Sequence, residues 1–382
     1  ELNMALVLNE EQRFLQDSAR EFLAANAPVA SLRALRDERD ALGYSPELWQ
    51  KMAELGWASI ILPEEYGGLD FGFTGLGVVM EEAGRTLTAS PLFASAVVGA
   101  SALLLGGSEE QKIALLPRIA AGELTLALAL EESQHHRPTQ IATTAQAKGE
   151  DFVLNGRKTF VLDGHSADHL LVVARSSGDS KSKQGLSLFL VPREAPGLTV
   201  QRTIMADSRN AANLVLEDVT VGAEALVGTI GQGWTVLEPV LDRGRVALAA
   251  EMMGLALEAF ERTVEYLKER EQFGVLIGSF QALQHRAAHM QSELELARSV
   301  VLQALSTVDD APEQLPLLAS LAKARLNDLV KQVTNEAVQM HGGIGVTDEF
   351  EIGFFLKRAR VVMQIFGDTG FHKDRYATLC GY

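Results

Sequence analysis

Gly342 and Gly343 stand side by side in the run QMHGGIGV, Gln339–Val346, at the end of a helical apolar stripe. Adjacent glycines let backbone amides approach a phosphate or an isoalloxazine edge more closely than a β-carbon allows. Such a pair also simply ends helices, so it gains meaning only with company. Upstream lie REQFG, Arg270–Gly274, and FQALQH, Phe280–His285; downstream a second turn carries Asp368 and Thr369. Other chemistries leave no mark: nucleophile elbow, Walker loop and dinucleotide glycine fingerprint are all missing. The adjacent His135 and His136 rarely converge on one ion, and no nearby cysteine or spaced acid set completes a ligand group, so no metal site is expected. His341, just before the glycine pair, reads as packing or backbone bonding rather than catalysis.

Helical periodicity runs from Asn9 to about Gly122. Asn9 with Gln12 forms a capping-box pattern, and Ser45-Pro46-Glu47 supplies a cap, a first-turn proline and an acid, with Gly56 as the stop. Between Leu124 and Val221 the pattern changes to short apolar or alternating runs: Leu124–Leu130, Phe152–Leu154, Thr159–Leu162, Leu170–Ala174, Leu186–Val191, Leu198–Val200 and Ala212–Leu216. Asn155-Gly156 and Asp163-Gly164 punctuate them as turns. No helical pattern lies between these runs to serve as parallel crossovers, so an antiparallel sandwich or barrel is expected instead of a Rossmann fold. Ser176–Gly185 is a polar loop. After Trp234, stripes such as Phe280, Leu283, Ala287, Met290, Leu294, Ala297, Val301 and Leu326, Val330, Val333, Ala337, Met340 predict a bundle with self-association surfaces. The expected class is α+β: helical residues 1–123, a β-domain over 124–233, and a helical bundle over 234–382.

With 382 residues, 47% of them hydrophobic, the chain exceeds one compact core. A formal net charge of -16 argues against nucleic acid or an anionic membrane as partner; anionic ligands must be held by local arginines and helix amino termini. The single cysteine, Cys380, excludes an internal disulfide framework and fits a reducing cytosol, and no signal-peptide pattern is seen, so a cytoplasmic location is expected. Pro91–Gly107, the most apolar run, carries Ser95, Gly99 and Ser101 and reads as a buried core helix, not a membrane span.

Taken in order and spacing, REQFG, FQALQH, the glycine pair and the Asp368-Thr369 turn resemble the acyl-CoA dehydrogenase superfamily of flavoproteins, over nearly the whole chain. The resemblance implies FAD enclosed by amino-terminal helices, a middle β-domain and a carboxy-terminal four-helix bundle, with an acyl-CoA thioester as substrate. A carboxylate would take the α-proton while a β-hydride passes to flavin N5, and an electron-transferring flavoprotein would collect the electrons. A weakly acidic α-proton makes a fixed base and hydrogen bonds to the thioester carbonyl necessary together. By the same resemblance, Arg270 reaches the FAD diphosphate of a neighbouring subunit, with Gln272, Phe273 and Gln281 as companions. Gln339, Gly342 and Gly343 receive the adenosine-diphosphate part, and Thr369, Phe160 and Leu130 lie near the flavin. Arg245, Asp242, Gly244 and Gly367 fall around the thioester.

Two departures stand out. Where relatives show Thr-Glu and later Trp-x-Thr or Trp-x-Ser, this chain has Glu131-Glu132 after Leu130, and Phe160 with Leu162. Both family positions for the catalytic carboxylate hold glycine, Gly367 in one subgroup and Gly244, before Arg245, in another. Asp368 is the nearest substitute base, with capping of the next helix as its other reading; Asp242 is offered as a partner for Arg243 or Arg245. Two absent acids would leave room for a bulky acyl group, or would mark a subunit whose base is on a paired chain. AEMMG at Ala250–Gly254 and GDTGFHKDR at Gly367–Arg375 resemble a subgroup working as paired large and small subunits, including pimeloyl-type and steroid side-chain dehydrogenases. The implied assembly is a homotetramer, or a heterotetramer with a paralogue. A catalytically degenerate subunit and a flavin monooxygenase on the same scaffold are the alternatives.

Overall fold

The computed structural model describes residues 7–382. The helices of the first part are α1 (Glu10–Asn26), α2 (Val29–Asp37), α3 (Pro46–Glu54), α4 (Gly72–Arg85), α5 (Ala100–Gly106) and α6 (Glu109–Ala120), with a wide π-turn helix at Leu92–Gly99 before α5. The strands follow: β1 (Leu126–Ala129), β2 (Thr144–Lys148), β3 (Asp151–Leu162), β4 (His169–Arg175), β5 (Leu186–Pro192), β6 (Leu198–Ile204), β7 (Asn210–Val221) and β8 (Leu226–Val227). Then come α7 (Trp234–Glu269), the short pair β9 (Glu271–Gln272) and β10 (Val275–Leu276), α8 (Gln281–Asp310), α9 (Leu315–His341), α10 (Ile352–Val362) and α11 (Thr369–Leu379).

Local chemistry explains the helix starts. In α1, Gln12 N donates to Asn9 Oδ1 at 2.8 Å and Asn9 N to Gln12 Oε1 at 3.0 Å, a closed capping box. Ser45 Oγ accepts from Leu48 N at 3.2 Å at the start of α3, whose first residue is Pro46, and Gly56 follows that helix at φ +81. Leu92 to Leu103 is buried throughout, and among the described residues no helix is long and apolar enough to cross a membrane.

The chain forms two compact units built from discontinuous segments. One holds Leu35–Gly72 and Ala89–Gly244 and contains the sheet, ordered β6-β7-β3-β2-β4-β5-β8 with β1 on β4. Among the described residues, pairing is antiparallel except for β1 with β4 and two parallel bridges, Thr144 to Arg175 and Leu186 to Gln232. Its core includes Leu154, Val161, Leu170, Val172, Phe189, Val191, Leu214 and Val219. One expectation is corrected here. Asn155-Gly156 is not a turn but lies inside the twelve-residue β3, at a register shift against β7. Gly156 is needed because its φ is +153 and a β-carbon would stand 2.5 Å from Thr143 Oγ1. Asn155 exchanges hydrogen bonds with Asp218 at 3.0 and 2.8 Å, which holds the ladder across the shift.

The other unit holds the described residues up to Ala34, with Phe73–Thr88 and Arg245–Tyr382. Here α9 packs on α8, α10 and α11. The α4–α7 crossing is made of paired glycines: a β-carbon on Gly84 would meet Glu251 O at 2.0 Å, and one on Gly254 would meet Glu81 O at 1.7 Å. Backbone-to-backbone approach of this kind is open only to residues without side chains.

Candidate functional site

The glycine pair lies where α9 ends. Gly342 takes φ +64, a left-handed conformation that stops the helix, and its N–H donates back to Gln339 O. Asn335, Val338, Gln339, Gly342, Gly343, Val346 and Leu356 line an open cleft of about 450 Å³. A β-carbon on Gly342 or Gly343 would meet nothing within 4 Å, so both glycines face free space instead of packed protein. His341 is buried beside them. Its Nδ1 faces Ala337 O at 2.7 Å, its ring stacks on Tyr266 at 4.4 Å, and burial pushes its pKa down, so the ring is a neutral packing element.

Tyr266 belongs to the last turns of α7, and its hydroxyl also reaches His341 O at 3.4 Å. That contact brings the end of α7 beside the end of α9. Five residues later the β9–β10 hairpin begins, with Gln272 opposite Val275 and Phe273-Gly274 between them. Phe273 at φ +55 and Gly274 at φ +78 both take left-handed conformations, the type I′ geometry suited to a two-residue hairpin. Phenylalanine pays strain at such a position. Its ring is nevertheless 93% exposed, meeting only the edge of Phe280 at 6.3 Å. Arg270, Gln272 and Gln281 are exposed as well, and among the described residues the Arg270 guanidinium has no ion-pair partner. An unpaired arginine, a strained aromatic tip and an amide-lined cleft fit the charge and shape of a dinucleotide diphosphate.

The third place is the loop Phe366–Asp368, where local geometry decides the chemistry. Asp368 is the N-cap of α11: its Oδ1 accepts from Phe371 N at 2.8 Å, so the capping reading is the one realised in this geometry. Thr369 Oγ1 donates to Asp328 Oδ1 at 3.2 Å. Phe366 O receives Arg245 Nε at 3.0 Å and faces His372 Nε2 at 3.0 Å. Gly367 O receives Lys323 Nζ at 3.1 Å and Asn327 Nδ2 at 3.4 Å. The expected roominess at residue 367 is corrected: a β-carbon there would stand 2.5 Å from Phe371 Cδ1 and 2.7 Å from His372 Nε2. Side chains of α11 occupy the place next to Gly367 that a β-carbon would take. Asp242 and Gly244 both lie buried on α7.

Sequence reasoning missed Lys323. It is fully buried on α9, and its Nζ also donates to Asn327 Oδ1, Val362 O and Met363 O at 2.9, 3.0 and 3.4 Å. Burial drives its pKa well below that of an ordinary lysine; the Arg245 charge adds to this and Asp368 opposes it. The available signal was Ser320, Lys323 and Asn327 at helical spacing, all on the buried side of α9.

In the sheet unit, Leu130 is buried and Thr159 N donates to Glu131 O at 2.8 Å, joining the end of β1 to β3. Phe160 follows at φ +54, at the second register shift of β3, a strained position that re-aims its ring. Glu132 is consumed structurally by the buried Lys158 at 2.7 Å and by Ala142 N and Thr143 N at 2.6 and 3.0 Å. Glu131 Oε1 instead faces His136 Nδ1 at 2.5 Å, while His135 is exposed. At these two positions Glu131 presents a carboxylate and Leu162 no hydroxyl.

The chain is thus helical, then β, then helical, with an open cleft at a glycine turn and an exposed hairpin that follows Arg270. Models of the acyl-CoA dehydrogenase N-terminal, middle and C-terminal domains match residues 9–123, 127–219 and 231–378. A probable acyl-CoA dehydrogenase of Bacillus subtilis, YngJ, is 32% identical over 367 residues, covering 94% of this chain and 95% of that protein. CarC, a subunit of the caffeyl-CoA reductase-Etf complex of Acetobacterium woodii, is 30% identical over 363 residues, covering 93% and 94%. The structure of the ChsE4-ChsE5 complex from Mycobacterium tuberculosis matches with a TM-score of 0.88 at 26% identity, over 99% of each chain. The chain belongs to the acyl-CoA dehydrogenase family.

Proposed function

We propose that this chain is a subunit of a FAD-dependent acyl-CoA dehydrogenase that introduces an α,β double bond into an acyl-CoA thioester. The observation that carries the reading is the cleft at Gly342 and Gly343, open where a side chain would sit, close in the fold to the hairpin that follows Arg270, which has no ion-pair partner among the described residues. Gln339, Gly342 and Gly343 would hold the adenosine-diphosphate part. Arg270, Gln272, Phe273 and Gln281, all exposed in this chain, would reach the diphosphate held by a neighbouring subunit. Leu130, Phe160 and Thr369 would border the ring, and Arg245, Asp242, Gly244 and Gly367 the thioester. Bound FAD supplies the hydride acceptor. The chain's own part is to fix the diphosphate, orient the ring through Phe160, and hold the Phe366–Asp368 loop rigid beside the thioester.

CarC, by its name, belongs to a complex with Etf, and ChsE4 assembles with ChsE5. Those names support an assembly with a related chain that hands electrons to an electron-transferring flavoprotein. The catalytically degenerate alternative is favoured by one observation: Asp368 is spent on capping and residue 367 carries no side chain. Anaerobic titration of the purified chain with acyl-CoA thioesters of varied chain and ring size tests the proposal. Bleaching of the visible flavin band supports it; a flavin-loaded chain that no thioester bleaches, alone or with a paralogue, contradicts it.

A further inference from the structure

We infer that Arg360 is the cation by which this chain itself grips a phosphate of an ADP group in the cleft at Gly342 and Gly343. The inference rests on the reading of that cleft as a nucleotide site and adds the residue that neutralises its ligand. With a formal net charge of -16 the chain as a whole repels such a ligand, so a positive group must stand at the cleft itself. None of the residues that line the cleft is charged.

Two stripes frame it. On α9, Asn335, Val338, Gln339 and Gly342 recur at helical spacing, and on α10 Leu356 and Arg360 lie one turn apart. Arg360 Nη2 donates to Asn335 Oδ1 at 3.2 Å, which sets the guanidinium against the Asn335 wall. An arginine can only donate, so this bond engages the Asn335 oxygen and leaves its NH2 group as a donor. Together the pair presents donors and positive charge, the chemistry that phosphate oxygens take.

Arg360 is available for this work. It is exposed and, among the described residues, makes no ion pair. The basic residues near it on α10 are committed elsewhere: Arg358 is buried against Glu251 at 2.8 and 3.0 Å, and Lys357 lies over the Phe354 ring at 5.7 Å. Glu336, the acid beside Asn335 in sequence, is held by Arg286. FAD and CoA each carry an ADP group, so the shared chemistry is an adenosine-linked diphosphate, and the test must separate the two sources.

Full-length wild type, Arg360→Gln and Arg360→Lys, stripped of flavin, are titrated with ADP at low and at high salt, and thermal midpoints are recorded without nucleotide. Bound ADP is then displaced with FAD and, separately, with CoA. Arg360→Gln keeps a donor for Asn335 but loses the charge. It should bind ADP at least tenfold more weakly at low salt, with a smaller gap at high salt and an unchanged midpoint, and Arg360→Lys should fall between. Equal ADP affinity in wild type and Arg360→Gln overturns the inference, as does a loss that salt leaves untouched. Should Arg360→Gln melt early, Asn335→Asp replaces it: a carboxylate against the intact Arg360 should weaken ADP binding by at least tenfold, and equal affinity overturns the inference. Displacement by FAD supports the cofactor reading as well. Displacement by CoA alone overturns that reading for this cleft, while the variants still decide the role of Arg360. Wild type that binds FAD but not ADP overturns the inference alone, and wild type that binds neither overturns both.

Discussion

Lys323 Nζ donates to Gly367 O at 3.1 Å from the fully buried face of α9. One amine thereby ties the last turn of α10, through Val362 O and Met363 O, to the loop that precedes α11. Buried carbonyls stripped of a donor cost roughly 1–3 kcal/mol each.

Lys323→Met keeps most of the stem and removes the donor, so it should lower unfolding free energy by about 3 kcal/mol. Urea unfolding would show a lower midpoint with unchanged slope. A midpoint equal to wild type would mean that the amine contributes nothing to the loop.

Glu81 gives a pH signature. Burial, with the neighbouring Glu82 charge, raises its pKa to about 7. Its protonated form is therefore favoured in the folded state. The stability it lends is fully present below about pH 4.5 and is lost as pH rises to about 7, by about 3 kcal/mol. Glu81→Gln should match wild type near pH 4.5 and exceed it by several degrees in thermal midpoint at pH 8. Equal midpoints across that range would refute the assignment.

The α4–α7 crossing tolerates no side chain. Gly254→Ala would drive a methyl into Glu81 O and should cost at least about 1–3 kcal/mol, the range for overpacking. Calorimetry reads it directly, and an unchanged melting curve would show that the crossing can open freely.

Arg270 is predicted to act through its planar fork. Arg270→Ala should weaken FAD binding by at least tenfold, about 1.4 kcal/mol, with Arg270→Lys only partly restoring it. Because Arg270 is exposed and lacks an ion-pair partner among the described residues, both variants should melt like wild type. Fluorescence titration of flavin-stripped protein separates the two effects.

Several features were legible because their causes are local. Asn9 with Gln12, and Ser45 with Pro46, announce helix starts within four residues, and the stripes after Trp234 announce the bundle. Asn155-Gly156 misled for the converse reason: its glycine answers to Thr143, just before β2, a contact that no local pattern records. Asp368 was ambiguous because a base and a cap use the same residue type, and only the turn to Phe371 N separates them. Lys323 stayed hidden because a lysine on a helix ordinarily reaches solvent, while its real partners lie about forty residues away in sequence. Division of the amino-terminal helices between two compact units was invisible for the same reason, since helix patterns fix neither partner nor layer.

The most direct measurement concerns Gly343, whose β-carbon would meet nothing within 4 Å, so that Gly343→Val fills the cleft without disturbing the fold. The full chain and this variant should be titrated with FAD after flavin removal, with thermal midpoints recorded in parallel. Unchanged melting of the flavin-free proteins with at least a tenfold loss of FAD affinity, about 1.4 kcal/mol, is the result expected if the glycine turn grips the diphosphate. Equal affinity in the two proteins would contradict it.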